Sequence, residues 1–121
     1  MLKPILSKPS LSKHIVGWDI GGAHLKAVLL DANGNVLNIK QLPCPLWRGL
    51  QELDSAIQYM LKAFRVHADE TLHAVTMTGE LVDLFANRYE GVMAISSLSA
   101  KLLGKETLFY AANVPTNDGL R

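Results

Sequence analysis

The sequence lacks a second cysteine, a large net charge and a long apolar segment. Its one cysteine, Cys44, cannot form a disulfide within the chain, and a single free thiol fits a reducing cytoplasmic setting. The 12 basic and 11 acidic residues leave a formal charge of +1, which gives no sign of binding to nucleic acid or to an anionic membrane. No apolar run approaches the roughly 18 residues of a membrane-spanning helix. These absences exclude the disulfide-rich, strongly basic and membrane-spanning classes.

The first 13 residues differ from the rest of the chain. They contain three lysines and two prolines, and they lack the continuous apolar region of a secretory signal peptide. We therefore expect residues 1–13 to form a flexible tail. The remainder has an ordinary composition for a folded core, since 49% of the chain is apolar and 19% is charged. A chain of 121 residues forms one domain at most, which we assign to residues 14–121.

The most informative segment is residues 14–31. Two apolar runs are separated by Gly21 and Gly22, which indicates two strands joined by a tight turn. Glycine supplies a positive φ angle or lets the backbone come close to a ligand. Asp19 lies near the end of the first run, and Lys26 follows seven residues later on the second. Exposed backbone amides, a carboxylate and an ammonium group suit the phosphates of a nucleotide and its magnesium ion.

The same segment also has a purely structural interpretation. A glycine pair between two strands is what an ordinary tight turn uses, and short motifs often match by chance. His24 leaves a similar choice, because its imidazole would either donate to a phosphate, shape a substrate pocket or be a plain hairpin side chain. The residues alone leave these alternatives open.

The rest of the chain alternates between strand and helix patterns. An Asn-Gly turn at residues 33–34 leads into a third strand, Val36–Gln41. Its alternating pattern predicts one solvent-exposed face. The prolines on either side of Cys44 end this strand. A helix then joins this strand to the fourth, so the fourth should run parallel to the first. The remaining predicted elements are a helix over 49–66, a strand over 72–77, helices over 80–87 and 91–103, and a strand over 107–111.

Several side chains have both a structural and a functional interpretation. Glu80 follows the carboxyl end of the fourth strand. Its carboxylate either interacts favourably with the dipole of the helix that begins there, or holds magnesium or polarises a nucleophile. Cys44 is expected to be a packing residue rather than a reactive thiol. Trp47 is expected to plug the core or a hinge. His67 and His73 lack the spacing of metal ligands and are expected to be ordinary polar side chains.

Three segments, taken in order, resemble one protein family. They are Gly17–Lys26 (GWDIGGAHLK), Gln41–Trp47 (QLPCPLW) and Thr76–Asp83 (TMTGELVD). They look like the N-terminal part of hydantoinase/oxoprolinase-related proteins linked to tetrahydromethanopterin C1 metabolism, a group that includes an ATP-dependent methanofuran-biosynthesis synthase. The segment from Asp19 to Lys26 also resembles the first phosphate motif of the actin-like ATPase and sugar-kinase superfamily.

The resemblance implies an α/β fold, a ribonuclease-H-like lobe with a mixed five-stranded sheet in the order 3-2-1-4-5 and helices on its faces. It implies ATP and magnesium as cofactors, with Asp19 as a catalytic residue that holds magnesium through water. Glu80 is the second predicted catalytic residue, because of its place after the fourth strand. The residues that would bind the nucleotide are Gly21, Gly22, His24 and Lys26.

Proteins of this kind have two lobes, and this chain has room for one. Residues 14–121 would therefore be an N-terminal actin-like ATPase lobe, truncated before the second. The expected function is ATP-dependent activation of a small substrate in a tetrahydromethanopterin- or methanofuran-linked pathway in the cytoplasm. Two alternatives are an ATP-coupled hydrolase of hydantoin- or oxoproline-type cyclic amides and a non-catalytic scaffold or assembly lobe. The expected partners are nucleotide, substrate, the second lobe and, as a further option, a second copy in a homodimer.

Overall fold

The computed structural model describes residues 13–77 and 87–111, which form five strands and two α-helices. In chain order these elements are β1 (Ile15–Ile20), β2 (His24–Leu30), β3 (Val36–Pro43), α1 (Gln51–Phe64), β4 (Leu72–Met77), α2 (Arg88–Leu103) and β5 (Leu108–Ala111). Short 3-10 turns at Leu46–Arg48 and Ala68–Glu70 precede α1 and β4.

The five strands form one mixed sheet in the order β3-β2-β1-β4-β5. The first three strands are antiparallel neighbours, whereas β4 runs parallel to β1 and β5 runs parallel to β4. β3 runs in the same direction as β4, and the connection that contains α1 carries the chain from the β3 edge across to the far side of β1. The predicted order and the ribonuclease-H-like α/β class are confirmed.

Strand β1 lies at the centre of the sheet and buries one of its faces. Val16, Trp18 and Ile20 are at most 2% exposed, whereas the alternate residues are half-buried. Burying each large apolar side chain stabilises the fold by about 1.5–3 kcal/mol. Both described helices pack against this face, which we call the inner face. Their contributions to its core are Leu53, Ala56, Ile57, Met60, Phe64, Ile95 and Leu103.

The helix boundaries differ from the predicted ones for local reasons. α1 ends at Phe64 because Arg65 takes the left-handed backbone conformation, with a φ of 59°. α2 begins at Arg88, since the side chain of Asn87 accepts a hydrogen bond from the amide of Glu90 at 2.8 Å and so caps the helix. The predicted helix over 80–87 lies outside the described residues, apart from Asn87, whose backbone is extended.

Two expectations about burial are wrong. Trp47 is 56% exposed, and its neighbour Leu46 fills the core instead. The first four residues of β3 are all exposed, although their pattern predicted one wet face. β3 is an edge strand, and the groove that it lines beside α1 begins only at Leu42 and Pro43. The start of β3 therefore has no described layer over either face.

A buried hydrogen bond joins the central strand to β4. The Nε1–H group of Trp18 donates to Nδ1 of His73 at 3.0 Å, and Nε2 of His73 lies 2.9 Å from the carbonyl oxygen of Ala68. Because Nδ1 accepts, the imidazole carries its proton on Nε2 and donates it to Ala68. His73 is 5% exposed, and this burial lowers the pKa of its imidazole from 6.5. The histidine expected to be an ordinary polar side chain is thus a buried link between strands.

Acid should destabilise the fold through His73. The unfolded chain binds the proton near pH 6.5 and the folded chain only at lower pH, so this stabilisation is present above about 6.5 and is lost as the pH falls through the folded pKa. Protonation would also turn a donor on Nδ1 toward the Trp18 donor. We expect the free energy of unfolding, measured with urea, to fall by up to about 1.4 kcal/mol per pH unit in this window.

His73→Gln should flatten that dependence, whereas His67→Gln, at an exposed position, should preserve it. The comparison uses the slopes, because His73→Gln also weakens the Trp18 hydrogen bond at neutral pH. An equal slope in wild type and His73→Gln would contradict the assignment.

A second prediction concerns Ser99, which is fully buried on α2. Its hydroxyl has no hydrogen-bond partner in the described part of the chain. Replacing it with alanine should raise the free energy of unfolding by about 1 kcal/mol, since an unsatisfied buried hydroxyl is removed. Ser97→Ala, on the exposed side of the same helix, controls for helix propensity. If the buried hydroxyl did not destabilise the fold, the two substitutions would change the free energy of unfolding by the same amount.

Candidate functional site

The segment from Asp19 to Lys26 is a tight hairpin between β1 and β2. Asp19 pairs directly with Lys26, and the amide of Gly21 donates to the carbonyl oxygen of His24 at 3.0 Å. Residues directly opposite each other in an antiparallel pair have Cβ atoms about 4.5–5.5 Å apart. The carboxylate and the ammonium group therefore project side by side from neighbouring strands. They lie on the face away from α1 and α2, which we call the outer face.

The turn is braced from the side by the segment that follows β3. The amide of Cys44 donates to the carbonyl oxygen of Ala23 at 2.7 Å, and the amide of Leu46 donates to that of Gly22 at 3.3 Å. Both donors are fully buried residues, so the brace is part of the core. Within residues 13–77 and 87–111, the amides of Gly22 and Ala23 donate to no backbone acceptor. Two carbonyl groups of the turn, those of Gly22 and Ala23, are thus paired, whereas the amides of the same two residues have no backbone acceptor among the described residues.

The two glycines do not serve the turn through a left-handed backbone. Among the described glycines, positive φ angles occur at Gly34, Gly49 and Gly104. A positive φ angle is therefore the wrong reason for Gly21 and Gly22. Their other property, the absence of a side chain beside the loop amides, remains.

The strand registers place a row of polar side chains across the outer face at this end of the sheet. From β3 to β5 the row consists of Gln41, Lys26, Asp19, Thr76 and Tyr110. The Thr76 hydroxyl donates to the carbonyl oxygen of Trp18 at 3.2 Å. Asp19 is half-buried, whereas Lys26 is exposed.

Next to the polar row the outer face is apolar and hollow. A shallow cavity of about 330 Å³ extends from Asp19 and Lys26 over Gly17, Val28 and their neighbours. A Cβ atom on Gly17 would approach the Cγ1 atom of Val28 to 3.1 Å, so glycine keeps this floor low. The site therefore combines one charged pair, available amides and an apolar floor.

The structure brings most of the predicted site residues together. The hairpin holds Asp19, Gly21, Gly22, His24 and Lys26, and His24 is exposed at the first position of β2, opposite Pro43. Glu80 lies outside the described residues. The strand that precedes it ends at Met77, whose partner on β1 is Ile20, next to the turn.

Sequence reasoning missed the brace and most of the polar row. Thr76 and Tyr110 join the row only through the registers of β1 with β4 and of β4 with β5. The sequence placed Gln41 in a strand but did not show that it lies opposite Lys26. That pairing depends on the turn between β2 and β3 and on the register shift between Leu29 and Leu30.

The described residues contain no group of three or more histidine, cysteine, aspartate or glutamate side chains placed to hold a metal ion. The described helices include none with the length and apolar character needed to cross a membrane.

Comparison with known proteins identifies the fold but no sequence family. No family model matches the chain, and no curated protein sequence matches it significantly. Among solved structures, a Bacteroides thetaiotaomicron protein with an actin-like ATPase fold and unknown function is 10% identical with a TM-score of 0.54, over 95% of this chain and 40% of that one. A reductive activator for a corrinoid, iron-sulfur protein is 17% identical with a TM-score of 0.55, over 84% and 23%.

A third neighbour belongs to the PilM-PilN type IV pilus biogenesis complex, at 15% identity and a TM-score of 0.53, over 88% of this chain and 39% of that one. The chain spans less than half the length of each neighbour. At these identities the likeness shows the fold, which is that of actin-like ATPases. It gives no support to the hydantoinase/oxoprolinase relationship or to the methanofuran pathway.

The brace makes a prediction about Cys44. Burial, with the charge of Glu52, raises the pKa of its thiol to about 11. Since the thiolate is the reactive form, alkylation by iodoacetamide at about pH 8 should be on the order of 100-fold slower in the native chain than in urea. Mass spectrometry of the modified protein measures both rates. Comparable rates in the native chain and in urea would show that Cys44 is a reactive thiol and would contradict its interpretation as a packing residue.

Proposed function

We propose that residues 14–121 are the N-terminal, nucleotide-binding lobe of an ATP-dependent enzyme. The observation that carries the proposal is the direct pairing of Asp19 with Lys26 beside a turn in which two amides have no backbone acceptor among the described residues. Amides and a cation bind phosphate oxygens, and a carboxylate binds a hydrated metal ion. The actin-like ATPase fold of the neighbours supports a nucleotide at this end of the sheet.

The roles of the residues follow from their chemistry. The sequence pointed to the amides of Gly21 and Gly22, but the Gly21 amide donates to His24 within the turn. The amides of Gly22 and Ala23 would therefore hold phosphate oxygens, and Lys26 would neutralise their charge. His24, exposed beside the turn, would donate to a phosphate or shape the adjoining substrate pocket. Transfer of a phosphoryl group depends mostly on positioning and electrostatic stabilisation, which these groups supply without forming a covalent bond.

Magnesium fits this donor set through its water shell. Mg²⁺ keeps several waters and is usually bound by one or two carboxylates together with substrate phosphates. Asp19 supplies a half-buried carboxylate in the middle of the polar row, next to the predicted phosphate position. When bound, magnesium would neutralise charge on the phosphates. Glu80 would be the second acid of this site.

The proposal also includes the class of substrate. The three segments that resemble the hydantoinase/oxoprolinase-related proteins support activation of a small substrate in a tetrahydromethanopterin- or methanofuran-linked C1 pathway. The same resemblance supports ATP-coupled hydrolysis of a cyclic amide. In either case a second lobe of the same protein would complete the cleft, and the setting would be cytoplasmic.

A scaffold role is the second candidate. It is favoured by one structural neighbour, which belongs to a complex for type IV pilus biogenesis. A scaffold lobe would keep the fold and its hairpin, and it would not turn over ATP.

Substitution of Asp19 distinguishes an enzyme from a scaffold. In the full-length protein, Asp19→Ala should abolish ATP turnover, because it removes the carboxylate that would hold the hydrated magnesium ion beside the phosphates. Lys26→Ala should lower turnover by on the order of 100-fold, the loss expected for one charge-stabilising group. Phosphate release from ATP measures both effects, and circular dichroism checks that the variants fold.

Lys62→Ala is the matched control, since it removes the same charge from the exposed side of α1. It should leave turnover unchanged. Turnover by Asp19→Ala equal to that of the control would remove Asp19 from the mechanism. A full-length protein with no ATP turnover at all would favour the scaffold.

A further inference from the structure

Strand β3 forms one edge of the sheet and exposes apolar side chains. Val36, Leu37 and Ile39 are 59%, 51% and 67% exposed. In the described part of the chain no strand pairs with the outer side of β3. A long apolar edge strand is a template for pairing with another strand, and proteins usually protect such edges with charges or bulges. Lys40 is the one charged residue in β3, and the one register shift in its pairing with β2 lies near its start, between the partners of Val36 and Asn38.

The free hydrogen-bonding groups of this edge follow from one observed bond. The amide of Cys44 points toward β2, because it donates to the carbonyl oxygen of Ala23. Successive residues of a strand point their amides to opposite sides, so Leu42 and Lys40 also point toward β2. Ile39 and Gln41 therefore present their amide and carbonyl groups outward. Pro43 also faces outward, where its missing N–H group leaves no gap in the β2–β3 ladder.

We propose that β3 pairs with β3 of a second copy of this chain, antiparallel and around a two-fold axis at Ile39. The two Ile39 residues would exchange both backbone hydrogen bonds, as directly opposed residues of an antiparallel pair do. Lys40 of each copy would lie opposite Asn38 of the other, and Leu37 opposite Gln41. The two sheets become one continuous sheet of ten strands.

Charge and hydrogen bonding disfavour the two registers whose axis lies nearer the end of β3. A two-fold axis at Lys40 would place two ammonium groups directly opposite each other, which is destabilising. An axis at Gln41 would bring Pro43 opposite Ile39, and a proline cannot donate to the ladder. The axis at Ile39 avoids both, and it places the most exposed apolar side chain of β3 at the centre.

The β3 edge is better suited to pair with the β3 edge of a second copy than with that copy's β5 edge. Pairing β3 with β5 would be a head-to-tail contact that need not close, whereas β3 with β3 gives a closed two-fold dimer. A formal charge of +1 produces little repulsion between copies. The pairing adds a short strand interface, so we expect a dissociation constant in the range of about 1–100 μM.

Sedimentation velocity of the full chain over about 1–500 μM tests the dimer. Ile39→Lys should weaken dimerisation on the order of 100-fold, because it places two charges opposite each other at the axis. Tyr110→Lys is the matched control at the other edge, since Tyr110 and Ile39 are both 67% exposed. It should leave the dimer unchanged. A monomer at every concentration, or a dimer that Ile39→Lys leaves intact, would overturn the proposal.

Disulfide cross-linking tests the register independently of the effect of a charge. Opposed residues of a hydrogen-bonded antiparallel pair have Cα atoms about 5.5 Å apart, within the reach of a disulfide. In oxidised glutathione, Ile39→Cys should form covalent dimers rapidly. Gln41→Cys, on the same face and four residues from its counterpart along the strand, should not. Equal cross-linking of the two variants would overturn the register. Native Cys44 does not interfere, because it is 1% exposed.

Discussion

The antiparallel register of β1 with β2 is the constraint on which both the core and the candidate site depend. Because side chains alternate between the faces of a strand, a slip of one residue would turn Trp18 out of the core and Asp19 into it. Two contacts outside the hairpin hold the register. Trp18 is tied to His73 on β4, and the turn is tied through Ala23 to Cys44 after β3. Both contacts join residues distant from the hairpin in sequence.

The two faces of the sheet differ, because the inner face carries the core and the outer face carries the candidate site. The inner face carries the large buried side chains of β1, α1 and α2, whose burial supplies most of the stabilisation. The outer face carries the pair Asp19 and Lys26, with a glycine floor at Gly17. Since Lys26 is exposed, its loss should cost little folding free energy. Changes at the site should therefore alter binding or turnover before they alter the fold.

The sequence was sufficient for features that depend on local pattern. The spacing of seven residues between Asp19 and Lys26, around a tight turn, makes them cross-strand partners, and the helix between β3 and β4 determines a parallel fourth strand. Features that depend on long-range register were not predictable in the same way. The burial of His73, the brace from Cys44 and the place of Tyr110 in the polar row all require knowing which distant segments meet. Trp47 was misplaced because either of two adjacent apolar residues could fill the core, and Leu46 does.

The most direct test of the account is whether the turn amides bind phosphate. Selective ¹⁵N labelling of glycine in the full-length protein would resolve the amide signals of Gly21 and Gly22, with Gly34 at the opposite end of the sheet as an internal reference. On titration with magnesium and a non-hydrolysable ATP analogue, we expect a large shift at Gly22, whose amide would bind phosphate, a smaller shift at its neighbour Gly21 and none at Gly34. Saturable nucleotide binding that leaves the two turn glycines unchanged would contradict the account.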